Sequence, residues 1–238
     1  YIYFVFLLCC AVNLLLTSCV RQKYVVMDMV HHNPGEAMTE SKFLDPSFLK
    51  KNEYGAKVFF LFEAAQFGID WKSFDPSLFP DTTEAGRWVA EKAEIIHKKY
   101  DAAKKEDLQV YCMLDMLVLP SLLVEKHRTE LTNEQGKLDI SKPYTQLCIR
   151  ELMKEMFETF PQLDGLVIRT GETYLHDAPY YVGNHPVQNG MYDHITLINL
   201  LREEVCERRN KKLFYRTWDM GQLHSIPKYY LSVTDSIE

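Results

Sequence analysis

Glu172 is the side chain that the sequence places best for moving a proton. It closes the stretch Leu163-Asp164-Gly165-Leu166-Val167-Ile168-Arg169-Thr170-Gly171-Glu172, a short apolar run that ends abruptly in Arg, Thr, Gly and Glu. A run this continuous lacks the alternation of a strand with one wet face and predicts a strand buried on both sides. In parallel α/β proteins the loops after the strand C-termini collect the reactive side chains, because the sheet beneath is rigid while the loop backbone can vary. A carboxyl group there can serve as a general acid or base. Taken alone, Glu172 could equally be an ordinary surface residue of a strand-to-helix loop, since position in a fold does not establish function.

The same logic gathers further residues at the ends of the other predicted strands. A first strand presents His31, His32 and Glu36, a second Glu63, a third Asp115, the fourth Arg169 with Glu172, and a fifth Arg216, Trp218 and Asp219. The loop after the fourth strand adds Tyr174, His176, Asp177, Tyr180, Tyr181, Asn184 and His185. Carboxylates, arginines and aromatic rings in one concavity suit a polar, ring-shaped substrate: carboxylates handle protons, aromatic faces cover the apolar faces of a sugar, and polar tips take its hydroxyls. Each tyrosine by itself is also explained by core packing. His31, His32 and Glu36 could offer metal ligands, but adjacent histidines on an extended strand point to opposite faces and no H-E-x-x-H occurs. No metal or other cofactor is therefore expected. A serine nucleophile is disfavoured by the lack of G-x-S-x-G.

The elements that would position these groups alternate between strand and helix. Strand patterns fall at 24–30, 57–63, 110–117, 163–169 and 213–218. Asp45-Pro46 opens a short helix, and Asp81-Thr82-Thr83-Glu84 supplies caps for a long one to about Lys105, with Ala85, Val89, Ala93, Ile96 and Tyr100 along one face. Pro143 starts a helix whose Leu147, Leu152, Met156 and Phe160 face a core, and Pro161 stops it. Another runs from about Tyr192 to Arg209 with Ile195, Ile198, Leu201 and Val205 inward, and Pro227 opens a last one. Strands each followed by a helical pattern predict a parallel α/β protein. Neither G-x-G-x-x-G nor G-x-x-x-x-G-K occurs, which removes the usual dinucleotide and P-loop signatures. The expectation is a (β/α)8 TIM barrel represented by its N-terminal part, about five strands, with later strands beyond Glu238; an open doubly wound sheet is the alternative.

Composition agrees with a globular domain: 238 residues, 47% hydrophobic and 25% charged, enough to bury a sizeable core. A net charge of -6 without a basic face argues against a nucleic-acid partner. Cys112, Cys148 and Cys206 are too widely spaced for a zinc site and read as buried apolar residues. Tyr1 to Leu16 is almost wholly apolar, short for a spanning helix and about right for a signal-peptide core. Leu16-Thr17-Ser18-Cys19 resembles the lipobox of bacterial lipoproteins. That resemblance implies a signal peptide over 1–18, acylation of Cys19, and an exported, membrane-anchored body over 19–238; a retained transmembrane anchor is the alternative.

Three segments carry a second resemblance. Asp164 to Glu172, then Tyr181-Val182-Gly183-Asn184-His185, then Tyr215-Arg216-Thr217-Trp218 resemble a divergent version of the bacterial α-glucuronidase family of glycoside hydrolases, over roughly Val110 to Trp218. The resemblance implies a barrel glycosidase acting on a carbohydrate, with Glu172 as general acid and Arg169 and Arg216 holding a sugar carboxylate. His185, Asn184, Trp218, Asp115, His31 and His32 complete the expected substrate-binding set. Thr-Gly-Glu stands where the family has Asn-Ser-Glu, and the catalytic base that the family implies would lie beyond Glu238. Asp115 and Asp219 are the fallback carboxylates within the chain. The alternative function is a surface glycan-binding lipoprotein that uses the same cleft without turnover.

Overall fold

The computed structural model describes residues 25–28, 41–60, 63–170, 173–175 and 177–216. Its strands are β1 (Met27–Asp28), β2 (Ala56–Phe59), β3 (Gln109–Asp115), β4 (Val118–Pro120), β5 (Gly165–Arg169), β6 (Tyr181–Gly183) and β7 (Lys212–Tyr215). Its α-helices are α1 (Pro46–Lys51), α2 (Glu84–Lys105), α3 (Ser121–Lys126), α4 (Arg128–Leu131), α5 (Pro143–Thr159) and α6 (Met191–Leu201). The five strands of the main sheet lie in the order β1-β2-β3-β5-β7, and every neighbouring pair is parallel. Spatial order therefore follows chain order. A doubly wound sheet reverses direction at a switch point, whereas a (β/α)8 barrel never does. The architecture is a five-stranded portion of a TIM-barrel-like sheet.

The caps are those the sequence announces. Thr83 accepts a hydrogen bond from Gly86 N at 3.0 Å to start α2, and Asp45 accepts from Ser47 N at 2.9 Å ahead of Pro46 in α1. Pro143 occupies the first turn of α5, where its missing N–H costs nothing. On α2, Val89, Ile96 and Tyr100 are buried, with Ala85 and Ala93 packed against the core. On α5 the stripe is shifted. Leu147 is 41% exposed, and Cys148, Ile149, Leu152, Met153 and Met156 do the packing. The expected helix to Arg209 also changes pitch: α6 ends at Leu201 and a wider π-helical turn carries Arg202–Glu207. That turn keeps Glu204, only 5% exposed, within reach of Arg150 at 2.6 Å and Arg209 at 2.8 Å.

The third strand ends earlier than its apolar run suggests. Leu117 is buried with φ at 57°, a left-handed conformation that breaks the strand and sends β4 out of the sheet to pair with β6. The two backbones approach so closely that a Cβ on Gly183 would lie 2.6 Å from the Leu117 carbonyl oxygen. Cys112 and Cys148 are buried free thiols, and burial pushes each up to about 12; Cys206 is half-buried.

Alternation along the strands divides the main sheet into two faces. Cys112 and Leu114 of β3 and Leu166 and Ile168 of β5 belong to the large core cluster that includes helix residues Ile96, Tyr100, Leu152 and Met156, and the partly buried Leu213 of β7 packs against it. Ala56, Val58 and Phe60 around β2, Tyr111 and Met113 of β3 and Val167 of β5 form a separate, smaller cluster on the opposite face. Tyr111 and Phe214 meet there edge to face at 5.3 Å between ring centroids. In a closed barrel this second face is the interior.

Candidate functional site

The interior face changes character at the strand C-termini. Above Tyr111 and Met113 on β3 stands Asp115, above Val167 on β5 stands Arg169, and above Phe214 on β7 stands Arg216. Asp115 and Arg169 are register partners, and Arg216 N donates to Ile168 O at 2.9 Å, continuing the ladder by one residue. Three charged side chains thus form a row across three adjacent strands, over a floor of apolar ones.

Two of the three are tightly coupled. Arg169 Nη1 donates to Asp115 Oδ1 at 2.8 Å and to Oδ2 at 3.0 Å, and the two side chains are 5% and 4% exposed. Tyr174 N donates to Asp115 Oδ2 at 2.8 Å. The Tyr174 ring lies 4.4 Å from the Arg169 guanidinium carbon and the Phe60 ring 5.3 Å from it, so the cation is held between two π faces as well as by a carboxylate. Burial pushes the Asp115 carboxyl above its ordinary range, opposed by the Tyr174 N–H and by the charges of Arg169 and Arg216. Arg216 is different. It is half-buried, its Nη1 lies 3.7 Å from Met113 Sδ, and no carboxylate pairs with it among the described residues.

A narrow cleft of about 10 Å³ opens beside this row, lined by Phe60, Ala64, Gln66, Phe67, Met113, Asp115 and Tyr174. Gln66 is 2% exposed, and its Oε1 has no hydrogen-bond partner. Nothing in the sequence singled it out beyond an amide standing in the otherwise apolar run Ala64-Ala65-Gln66-Phe67. A larger cavity, about 690 Å³, lies at the opposite end of the strands around Tyr54, Gly55 and Gln109. In barrels the strand N-termini serve stability and the C-termini serve chemistry, so the smaller cleft is the relevant one.

The remaining expected site residues fall in several places. Asn184 accepts from Leu138 N at 2.7 Å and donates to Leu138 O at 3.0 Å and to His185 O at 2.9 Å, so its amide fastens the loop before α5. Asn184 and His185 line a pocket of about 340 Å³ with Gln135, Lys137, Val187 and Gln188, which shares no residue with the cleft at Asp115. Glu63 pairs with Lys99 and accepts the Tyr100 hydroxyl on its carbonyl at 2.9 Å. Tyr181 is buried against Phe67, Phe79 and Trp88, and Tyr180 packs on Trp88. His31, His32, Glu36, Glu172, His176, Trp218, Asp219 and Cys19 lie outside the described residues. Among the described residues no cluster of His, Cys, Asp and Glu could hold a metal ion, and no helix is long and apolar enough to cross a membrane.

No family model and no curated protein matches the chain. Solved structures do. It is similar to a GH138 enzyme targeting pectin rhamnogalacturonan II, at 14% identity and a TM-score of 0.46 over 82% of this chain and 20% of that one. The galactosidase domain of the α-galactosidase-sucrose kinase AgaSK aligns at 14% identity and 0.41, over 72% and 23%. The noncanonic maltogenic α-amylase AmyB from Thermotoga neapolitana aligns at 15% and 0.37, over 63% and 40%. The chain therefore spans 20% to 40% of the length of these structures.

Proposed function

We propose that the chain contributes the catalytic face of a glycoside hydrolase that cleaves a poly- or oligosaccharide containing a uronic acid. The observation that carries the reading is the row Asp115–Arg169–Arg216 at the strand C-termini, in which Asp115 pairs with Arg169 and, among the described residues, no carboxylate pairs with Arg216. A sugar carboxylate suits such a cation. The resemblance to α-glucuronidases assigns the proton-donor role to Glu172, between Thr170 and Tyr174 in the sequence, and both arginines to the carboxylate. The Arg169–Asp115 pair supports a division of that labour, with Arg169 held in the fold and Arg216 taking the substrate. The body is exported and tethered through acylated Cys19, which mass spectrometry of the mature protein tests; an intact 1–18 segment would end that part of the reading.

A second reading, a surface glycan-binding lipoprotein without turnover, draws on a specific feature. Both oxygens of Asp115 are engaged by Arg169 and Tyr174, so that carboxylate is poorly disposed to move a proton. One experiment on the full-length protein separates the two. Glu172→Gln keeps the shape of the side chain but has no proton to donate, and hydrolysis of natural glycosides should fall by about 10²–10⁴-fold with binding retained. An activated aryl glycoside, whose leaving group needs no proton, should recover much of the rate. Unchanged turnover by Glu172→Gln would remove Glu172 from the mechanism, and glycan binding by the unaltered protein with no turnover at all would establish the second reading.

A further inference from the structure

We infer that Gln66 reads a single hydroxyl of the bound sugar, and that the cleft between it and Asp115 is a specificity pocket of hydroxyl size. The inference rests on the glycosidase reading above and deepens it. A buried amide oxygen without a partner is costly, because it has lost water and received nothing in return. Gln66 is 2% exposed, its Oε1 is such an orphan, and its side chain lines the cleft together with Asp115 and Tyr174. The rest of the segment that carries it is secured: Ala65 N donates to Cys112 Sγ at 3.2 Å, and the Gln66 carbonyl accepts from Tyr181 Oη at 3.3 Å. The backbone that carries Gln66 is thus fastened beside the cleft.

Size and charge decide what the cleft accepts. About 10 Å³ is the room needed by one water-sized group, so a sugar ring stays outside and only a substituent enters. A carboxylate is disfavoured there, since Gln66 Oε1 and the Asp115 oxygens are hydrogen-bond acceptors and an ionised carboxylate has no proton to donate to them. A hydroxyl fits: it can donate to Gln66 Oε1 while Phe60, Phe67 and Met113 meet the C–H groups beside it. Carboxylate at Arg216 and hydroxyl at Gln66 would then fix the ring at two points of opposite preference.

The test uses the full-length protein with methyl α-D-glucuronide and its monodeoxy analogues, affinities being measured by calorimetry. The unaltered protein should bind one deoxy analogue about 3–10-fold more weakly than the parent, the scale of a neutral hydrogen bond. Gln66→Met should bind that pair equally, with a thermal midpoint equal to or above that of the unaltered protein, because the orphan acceptor is gone. Discrimination retained by Gln66→Met would overturn the inference and leave the glycosidase reading standing. Equal binding of parent and every deoxy analogue by the unaltered protein would also overturn it, and that arm requires no variant. Failure to bind any of these probes, with neutral and acidic polysaccharides also neither bound nor cleaved, would remove both the reading and the inference.

Discussion

The two faces of the main sheet are built from the same strands by alternate residues, yet they are different materials. On the outer face Leu114, Leu166 and Ile168 join helix residues in one continuous apolar core. On the inner face a smaller cluster of Val58, Tyr111, Met113 and Val167 gives way within one step along the strands to Asp115, Arg169 and Arg216. The two faces therefore hold different kinds of free energy. Outer-face burial is non-directional and scales with area, whereas the inner row depends on pairing, since a buried charge is tolerated only with a partner.

The largest expected effect comes from removing one member of the Asp115–Arg169 pair. Arg169→Met leaves Asp115 buried and uncompensated and should destabilise the fold by about 3–5 kcal/mol in urea unfolding, while the double variant Asp115→Leu/Arg169→Met should return close to the unaltered stability. Recovery of stability without recovery of glycan binding would show that the pair serves the site. A gentler cut compares neighbours on β5. Leu166→Ala on the outer face should cost about 2–5 kcal/mol, and Val167→Ala on the inner face about 1–2 kcal/mol, from roughly 0.8 kcal/mol per methylene-sized group. Equal losses would contradict the division into two materials.

Arg216→Gln sharpens the difference within the row. Affinity for acidic glycans should fall by about 1.5–3 kcal/mol, the range of a charged hydrogen bond, with neutral glycans little affected and stability changed by less than about 0.5 kcal/mol. The smallest effect is in pH. Asp75, a quarter exposed on the outside of the molecule, is lowered to about 2 by Lys126 and Ser77, so its stabilisation is complete above 3.8 and is lost as pH falls through about 2. Asp115, raised by burial, has the opposite sign: the folded state holds its proton more tightly than the unfolded chain, and stability falls as pH rises through the window above 3.8. Carboxyl titration by NMR should find Asp75 near 2 and Asp115 above 3.8; the reverse order would show that the inner row is wet.

Much of this arrangement was legible in the chain, and the parts that were not share a cause. The main strands overlap the predicted windows, β2, β3 and β7 each starting one residue before them, because a parallel strand buried on both faces, as β3 and β5 are, must be a short apolar run. The helix starts were legible because Thr83, Asp45, Pro46 and Pro143 are local signals acting on their own turns. The inward stripe of α5 was misjudged at Leu147, since several phases of one helix carried apolar residues and the neighbouring elements chose among them. The β4–β6 pair was missed because it depends on Leu117 taking a left-handed conformation that no leucine announces.

The sequence alone determined which residues alternate, where charge follows an apolar run, and hence that Asp115, Arg169 and Arg216 end successive strands of a parallel sheet. It could not say which of them hold one another, because ion pairing depends on register between strands that are far apart in the chain. Only the tertiary structure decided that Asp115 pairs with Arg169, and that among the described residues no carboxylate pairs with Arg216. It also decided that Asn184 fastens a loop and that Gln66, anonymous in its apolar segment, lines the cleft. Those are long-range facts of distance, and a pattern of residue types along the chain contains none of them.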